Sequence, residues 1–165
     1  MGLLIDVQPS AGVALVVGGG AVALRKVRSL AEAGFAVEVV SPAVRPEITS
    51  LPGVMVTRRP FAPDDVIGRA LVFACTGDRE VNALAAMAAR AAGVLVLVAD
   101  AGEEGTFTSP AVYRDGDFAL AVSTGGASPG LAVELRDRAV AALGDGLGAA
   151  VEAARGIREE GKRRR

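Results

Sequence analysis

Five consecutive apolar residues, Val13-Ala14-Leu15-Val16-Val17, run directly into Gly18-Gly19-Gly20. The run shows no polar alternation, so a strand built from it must be buried on both faces, as strands of parallel sheets are. The three glycines allow a turn too tight for other residues. Residues 21–33 then carry a helical pattern, with Gly34 placed to close it. Strand, glycine turn and helix in this order open an α/β arrangement.

The pattern recurs along the chain. Residues 36–40 form a second candidate strand, ended by Ser41-Pro42, and residues 54–57 a third. Residues 71–75 form a fourth, followed by a long Ala-rich helix over about 78–92. Gly93 stops that helix, and residues 94–99 form a fifth strand. Short connections between alternating strands and helices predict a Rossmann-like, doubly wound parallel sheet. Past Asp100 the character changes. Two short apolar segments, 111–114 and 118–122, flank Asp115-Gly116-Asp117, a hairpin signal. Ser123-Thr124-Gly125-Gly126-Ala127-Ser128-Pro129 follows, with Ser128 a candidate N-cap and Pro129 the first helical residue. Helix is expected to about Leu143, and a second helix from near Leu147. The expected division is therefore residues 1–105, a nucleotide-binding domain, and 106–165, a dimerisation hairpin with C-terminal helices. A lone hairpin is marginal in water, so homodimerisation through it is expected.

Composition narrows the chemistry. With 165 residues, 51% hydrophobic and 22% charged, the chain can bury a core, and with 4% aromatics Ala, Val and Leu must fill it. Eighteen Lys+Arg against nineteen Asp+Glu give a net charge of −1, which supplies no general attraction to nucleic acid or an anionic membrane. The absence of His removes Ser-His and Cys-His catalysis, and a single Cys removes disulfides and thiolate metal clusters; no metal site is expected. Proton transfer must fall to a carboxylate, a Lys, a Tyr or water. The start lacks a basic segment ahead of its short apolar run, and Asp6 stands where N-myristoylation wants Ser or Thr. The longest apolar stretch, 11–24, is too short to span a bilayer and is interrupted by glycine. These features predict a soluble, cytoplasmic protein. Residues 155–165 hold six basic and two acidic groups, a solvated end on the simplest reading and an anion contact on the other.

Three places can carry chemistry. Gly18 to Ala23 fits G-x-G-x-x-A: Gly18 for the turn, Gly20 for close backbone approach to a pyrophosphate, and Ala23 for helix packing on the sheet. The helix N-terminus beyond it offers free N–H groups to an anion. The alternative is a simple strand-to-helix turn. Ser41 stands where such fingerprints usually place an acid for the ribose, Glu38 lies earlier in the strand, and Arg45 is near enough to take a phosphate. NAD and NADP both stay open. Asp100, after five apolar residues at the end of the fifth strand, suits a desolvated general base; it equally suits a loop carboxylate capping the turn at Gly102. The Ser123–Pro129 loop offers hydroxyls and N–H groups to an anionic substrate, or is a connection with an N-cap. Cys75 reads as inert core.

Together these segments resemble the precorrin-2 dehydrogenase family, the N-terminal part of siroheme synthases. The matching features are Val16 to Lys26, Thr76 with Asn82, Asp100 with Phe107 and Pro110 after it, and Val122 to Pro129 with Leu135-Arg136. The resemblance covers about residues 3–143. It implies NAD-dependent oxidation of precorrin-2 to sirohydrochlorin in siroheme or cobalamin biosynthesis, by a homodimer holding the tetrapyrrole between the nucleotide domain and the dimerisation region. It places Gly18, Gly19, Gly20, Ala21 and Val22 at the pyrophosphate, Ser41, Pro42, Ala43 and Val44 by the adenosine ribose, and Thr76 at the cofactor. Asp100 matches the family's essential carboxylate and is the implied base. For the substrate's carboxylates, Arg114, Arg136 and Arg138 with Thr124 and Ser128 are the candidates. Some relatives also insert ferrous iron into sirohydrochlorin. Leu97 in place of an Asn three residues before Asp100, Glu134, and an end at Arg165 without a methyltransferase domain depart from the pattern, so iron insertion is expected less than dehydrogenation. The competing class is a non-catalytic nucleotide-binding regulatory module, which would need the glycine loop but neither Asp100 nor the Ser-Thr-Gly-Gly stretch.

Overall fold

The computed structural model describes residues 2–163, so Met1, Arg164 and Arg165, the last two from the basic end, lie outside the described residues. The chain divides into two units, Leu3–Thr108 and a second that begins at Ser109. The division falls three residues past the expected one because Thr106 stays bonded to the first unit. Its N–H donates to the Val96 carbonyl at 2.7 Å and its hydroxyl accepts from Val96 N at 2.8 Å. Phe107 packs edge-on against Phe73, with ring centroids 5.4 Å apart.

The first unit is a five-stranded parallel sheet of β1 (Ala14–Val17), β2 (Val37–Val40), β3 (Val54–Thr57), β4 (Leu71–Ala74) and β5 (Leu95–Val98), in the order β3-β2-β1-β4-β5. The helices are α1 (Ala21–Glu32), a short α2 (Pro46–Thr49) and α3 (Arg79–Ala91). This is the doubly wound Rossmann-like sheet expected from the apolar runs. All four residues of β1 and of β4 are buried, as strands covered on both faces must be.

The sheet separates two cores. Ala14 and Val16 face one core with Val37, Val39 and Phe73, covered by Ala23, Leu24, Val27 and Leu30 of α1. Leu15 and Val17 face the other with Val72, Val96 and Val98, covered by Ala85, Ala86 and Ala89 of α3. Alanines on the buried stripe of α3 let the helix lie close to the strands, which is how a chain poor in aromatics packs its interior. Glu38, on β2, is half-buried and spent on the fold: its carboxylate pairs with Arg69 at 2.6 Å and accepts from the Thr57 hydroxyl at 3.3 Å.

In the second unit, β6 (Ala111–Asp115) and β7 (Phe118–Val122) form the expected antiparallel hairpin, followed by α4 (Pro129–Leu143) and α5 (Leu147–Arg163). The hairpin packs on α4 and α5 of its own chain. Tyr113, Phe118, Leu120 and Val122 are half-buried, whereas Val112, Arg114, Ala119 and Ala121 alternate with them and are exposed. Among the described residues no helix is long and apolar enough to cross a membrane.

Candidate nucleotide and proton-transfer site

In the order β3-β2-β1-β4-β5 the sheet's winding reverses between β1 and β4, and crevices at such points open at the carboxyl ends of the strands. Gly18 leaves β1 there with φ +119, and a Cβ at this position would stand 2.6 Å from the Cys75 carbonyl oxygen. Only glycine fits. Gly18 N donates to the Val40 carbonyl at 3.0 Å, tying the turn to β2.

Gly19 is required for a different reason. Its Cβ would fall 2.1 Å from the Ala43 carbonyl oxygen, and its own carbonyl accepts from Arg45 N at 3.0 Å. The segment after β2 therefore lies directly on Gly19. Gly20 is the reverse case: exposed, with no atom within 4 Å of where its Cβ would be. It is the N-cap of α1, no side chain caps that helix, and no acid stands in its first turn.

After β4, Thr76 makes a tight polar turn into α3. Its N–H and its hydroxyl lie 3.0 and 2.8 Å from Asn82 Oδ1, and the hydroxyl is also 2.8 Å from the Asp78 carbonyl oxygen. Asp78 caps α3 by accepting from Glu80 N and Val81 N. Asn82 is fully buried, and its Nδ2 donates to the Thr76 carbonyl at 3.1 Å and to Asp100 Oδ1 at 2.9 Å. Asp100 thus stands at the carboxyl end of β5, joined to the turn after β4. The other carboxylate oxygen, Oδ2, lies 4.0 Å from Arg79 Nε, and the Arg79 guanidinium itself pairs with Glu104.

Residues 5–111 match the family described as "Putative NAD(P)-binding". The chain belongs to that family. Among curated proteins it is 40% identical over 154 residues to the siroheme synthase of Nitrosomonas europaea, covering 91% of this chain and 32% of that protein. It is 38% identical over 148 residues to the siroheme synthase of Methylococcus capsulatus, covering 88% of this chain and 31% of the relative. The chain thus spans about a third of the length of the siroheme synthases it matches. Among solved structures it is similar to SirC, a precorrin-2 dehydrogenase, with a TM-score of 0.69 and 26% identity over 96% of this chain and 77% of the other. The resemblance read from the glycine turn, Asp100 and the Ser-Thr-Gly-Gly stretch is borne out, as are the fold class and an NAD-type cofactor.

The local geometry of this family member fits such a cofactor. The uncapped first turn of α1 leaves the N–H groups of Ala21 and Val22 without a side-chain acceptor, beside a Gly20 whose outer face is open. Free donors at a positive helix end are what a pyrophosphate requires.

Ser41 is buried and its hydroxyl donates to the Ala43 carbonyl at 2.8 Å, closing a turn; Pro42 and Ala43 are exposed and Val44 half-buried. Arg45 is paired with Glu47 at 2.8 Å on the surface. The premise that Asp100 is desolvated is not met: its side chain keeps 39% exposure. Asp100 also caps no turn at Gly102, because the bonds it makes run to Asn82 and toward Arg79. Cys75 is buried core, and burial pushes its thiol up to about 11. Burial also pushes the half-buried Lys26 amine below its usual range.

On the second unit, the Ser128 hydroxyl accepts from Leu131 N at 3.2 Å, making it the N-cap of α4, and Thr124 Oγ1 bonds the Ser128 backbone. Arg136 is held by Asp137 at 2.6 Å and by the Val112 carbonyl at 3.3 Å. Arg138 lies 3.9 Å from Glu134 on an exposed face, and Arg114 is exposed. Sequence reasoning assigned no role to Asn82 or Arg79. Asn82 carries a readable signal: with Ala85, Ala86 and Ala89 it occupies the i, i+3, i+4, i+7 stripe of α3, and a polar side chain there must find partners inside the protein. Arg79, on the exposed first turn, carries none. Among the described residues no group of three or more acidic, Cys or His side chains is arranged to hold a metal ion.

Proposed function

We propose that the chain oxidises precorrin-2 to sirohydrochlorin with NAD as acceptor. The observation that carries this reading is the placement of one half-exposed carboxylate, Asp100, at the carboxyl end of β5, bonded through Asn82 to the Thr76 turn beside the glycine cradle. A dinucleotide cradle alone would serve many proteins. A cradle with a proton acceptor at the same sheet edge suits removal of a hydride and a proton from one substrate. The similarity to siroheme synthases and to a precorrin-2 dehydrogenase supplies the substrate class.

In this reading Gly20, Ala21 and Val22 hold the pyrophosphate through backbone N–H groups; Gly18, whose own N–H is spent on the Val40 carbonyl, makes the turn that lets the cofactor approach, Gly19 fixes the Ser41–Val44 segment that flanks the ribose, and Thr76 lines the cofactor. NAD held in this cradle would supply the acceptor for the hydride that leaves a macrocycle carbon. Asp100 takes the proton that leaves with it, so that the substrate loses two hydrogens in all, one as hydride with both electrons and one as a proton, and the conjugation of the ring is extended. Ser41–Val44 holds no acid to repel a 2′-phosphate, and NAD is chosen on the strength of the relatives. Arg114, Arg136 and Arg138, with Thr124 and Ser128, are the proposed contacts for the substrate's carboxylates. Arg114 is foremost among them, since Arg136 and Arg138 already face carboxylates of their own unit.

Apolar side chains left exposed on the second unit, Val112, Ala119 and Ala121 on the hairpin and Leu131, Val133 and Leu135 on α4, support a homodimer. The proposed setting is the cytoplasm. The test is incubation with precorrin-2 and NAD, following NADH and the sirohydrochlorin spectrum, run with and without ferrous iron as a second substrate. Appearance of both signals supports the reading; NAD binding without turnover overturns it in favour of a regulatory module. Metal uptake into the product only when the protein is present adds iron insertion to the activity.

A further inference from the structure

We infer that Asn82 is the positioning residue for Asp100: its buried amide engages one carboxylate oxygen and leaves the other as the atom that receives the proton. This rests on the reading of Asp100 as the base.

The amide is bonded at every position it has. Oδ1 faces the Thr76 N–H and hydroxyl at 3.0 and 2.8 Å, and Nδ2 donates to the Thr76 carbonyl and to Asp100 Oδ1. Two of these partners belong to the backbone and cannot exchange roles, because an N–H only donates and a carbonyl only accepts. The amide therefore cannot flip, and the second Nδ2 hydrogen must be presented to Asp100. Oδ1 is then an obligate acceptor. Oδ2 is 4.0 Å from Arg79 Nε, beyond a direct hydrogen bond, and belongs to a side chain that is 39% exposed. It is the oxygen left for a proton from substrate.

The bonds to Thr76 are what a purely local role would need, since they close the turn from β4 into α3. The bond to Asp100 crosses from α3 to the end of β5 and does nothing for that turn. With Asn82 at 0% exposure on the buried stripe of α3, the donor has no room to follow a wandering carboxylate. It holds one rotamer of Asp100.

Two measurements test this. In a double-mutant cycle of Asn82→Ala and Asp100→Asn, Asn82→Ala alone is expected to lower kcat by about 10–100-fold, the scale of a small misplacement of a reacting group, with the KM for precorrin-2 changed less than about threefold. In the Asp100→Asn background the same change is expected to lower kcat by less than about threefold. Factors that multiply would overturn the inference, as would an unchanged kcat in Asn82→Ala. The second measurement needs no change at Asn82. In side-chain amide NMR spectra, Asp100→Ala is expected to move one Asn82 amide proton upfield and speed its exchange, leaving the proton bonded to the Thr76 carbonyl in place. An unmoved pair overturns the inference even if Asn82→Ala does not fold. Should the unaltered protein turn over no precorrin-2, the reaction assigned above fails, and the spectra alone then judge whether Asn82 orients Asp100.

Discussion

Two loops of small residues lead into helices in this protein, and they solve the same local problem in opposite ways. Ser123–Pro129 ends on Ser128, whose hydroxyl accepts from Leu131 N, and Pro129 fills the first helical position. Gly18–Gly20 ends on Gly20, which offers no side chain, and the first turn of α1 contains no acid. Every helix start leaves N–H groups unsatisfied, and one that starts on Gly forgoes about 0.3 kcal/mol of the stabilisation that a Ser or Asp cap would supply, and more where a carboxylate would meet the helix dipole. The first loop spends its polar atoms on its own helix; the second keeps its donors for something else. Small-residue content alone therefore does not identify a ligand loop. What distinguishes the two is whether the chain's own side chains have already taken the donors.

The largest effect should come from the polar group that serves no helix. Asp100→Asn keeps the shape and the partnership with Asn82, and is expected to lower turnover by about 10²–10⁴ while leaving the melting temperature and NADH affinity near their original values. Steady-state kinetics and NADH fluorescence titration check both halves. Turnover near that of the unaltered protein would show that the edge of the first unit holds no base.

Next come the glycines, which separate packing from ligand approach. Gly19→Ala sets a methyl 2.1 Å from the Ala43 carbonyl oxygen, so the segment after β2 must move; a loss of about 1–3 kcal/mol in denaturant unfolding is expected. Gly20→Asp meets no atom within 4 Å and gives α1 a cap. It should stabilise the fold by about 0.3–1 kcal/mol through the helix dipole, yet weaken NADH binding about tenfold or more, because a carboxylate then occupies the anion's place. Gain of stability with loss of ligand in one variant is the outcome that the bare-turn reading requires. Undiminished NADH binding by Gly20→Asp would break it.

Much of this was legible in the chain. Residues 13–17, 71–75 and 94–99 are apolar without alternation, and only a sheet buried on both sides accommodates such runs, so three of the five strands and their type are readable from them. Gly18 and Ala23 could be assigned because turn and close packing each demand a small residue there. Pairwise chemistry was less accessible. Glu38 sits inside the pattern of β2, and nothing local names its partner, Arg69, thirty-one residues on, which pairs with it at 2.6 Å. Asp100 follows apolar residues in sequence, but burial of a strand does not extend to the side chain that leaves its end, and it remains half-exposed. Ser41 stands at the expected position for a ribose contact while its hydroxyl turns back to Ala43. Positions along the chain fix which strand end a residue occupies; its partners come from elements whose approach the local sequence does not encode.

The smallest effect belongs to the capped loop. Ser128→Ala removes the side-chain oxygen that caps Leu131 N in the first turn of α4 and leaves that N–H to water, while Pro129 still presets the first helical turn. Thr124 remains bonded to the backbone of residue 128, so the loop keeps its path. The expected cost is therefore about 1 kcal/mol, or a fall of about 2–4 °C in the melting transition, with NADH affinity unchanged. Calorimetry beside NADH titration reads both. If the variant melts as before but its KM for precorrin-2 rises, the hydroxyl serves the substrate more than the helix, and the contrast between the two loops narrows. If it melts early and its KM holds, Ser128 is a cap, and recognition of the substrate's carboxylates passes to the arginines.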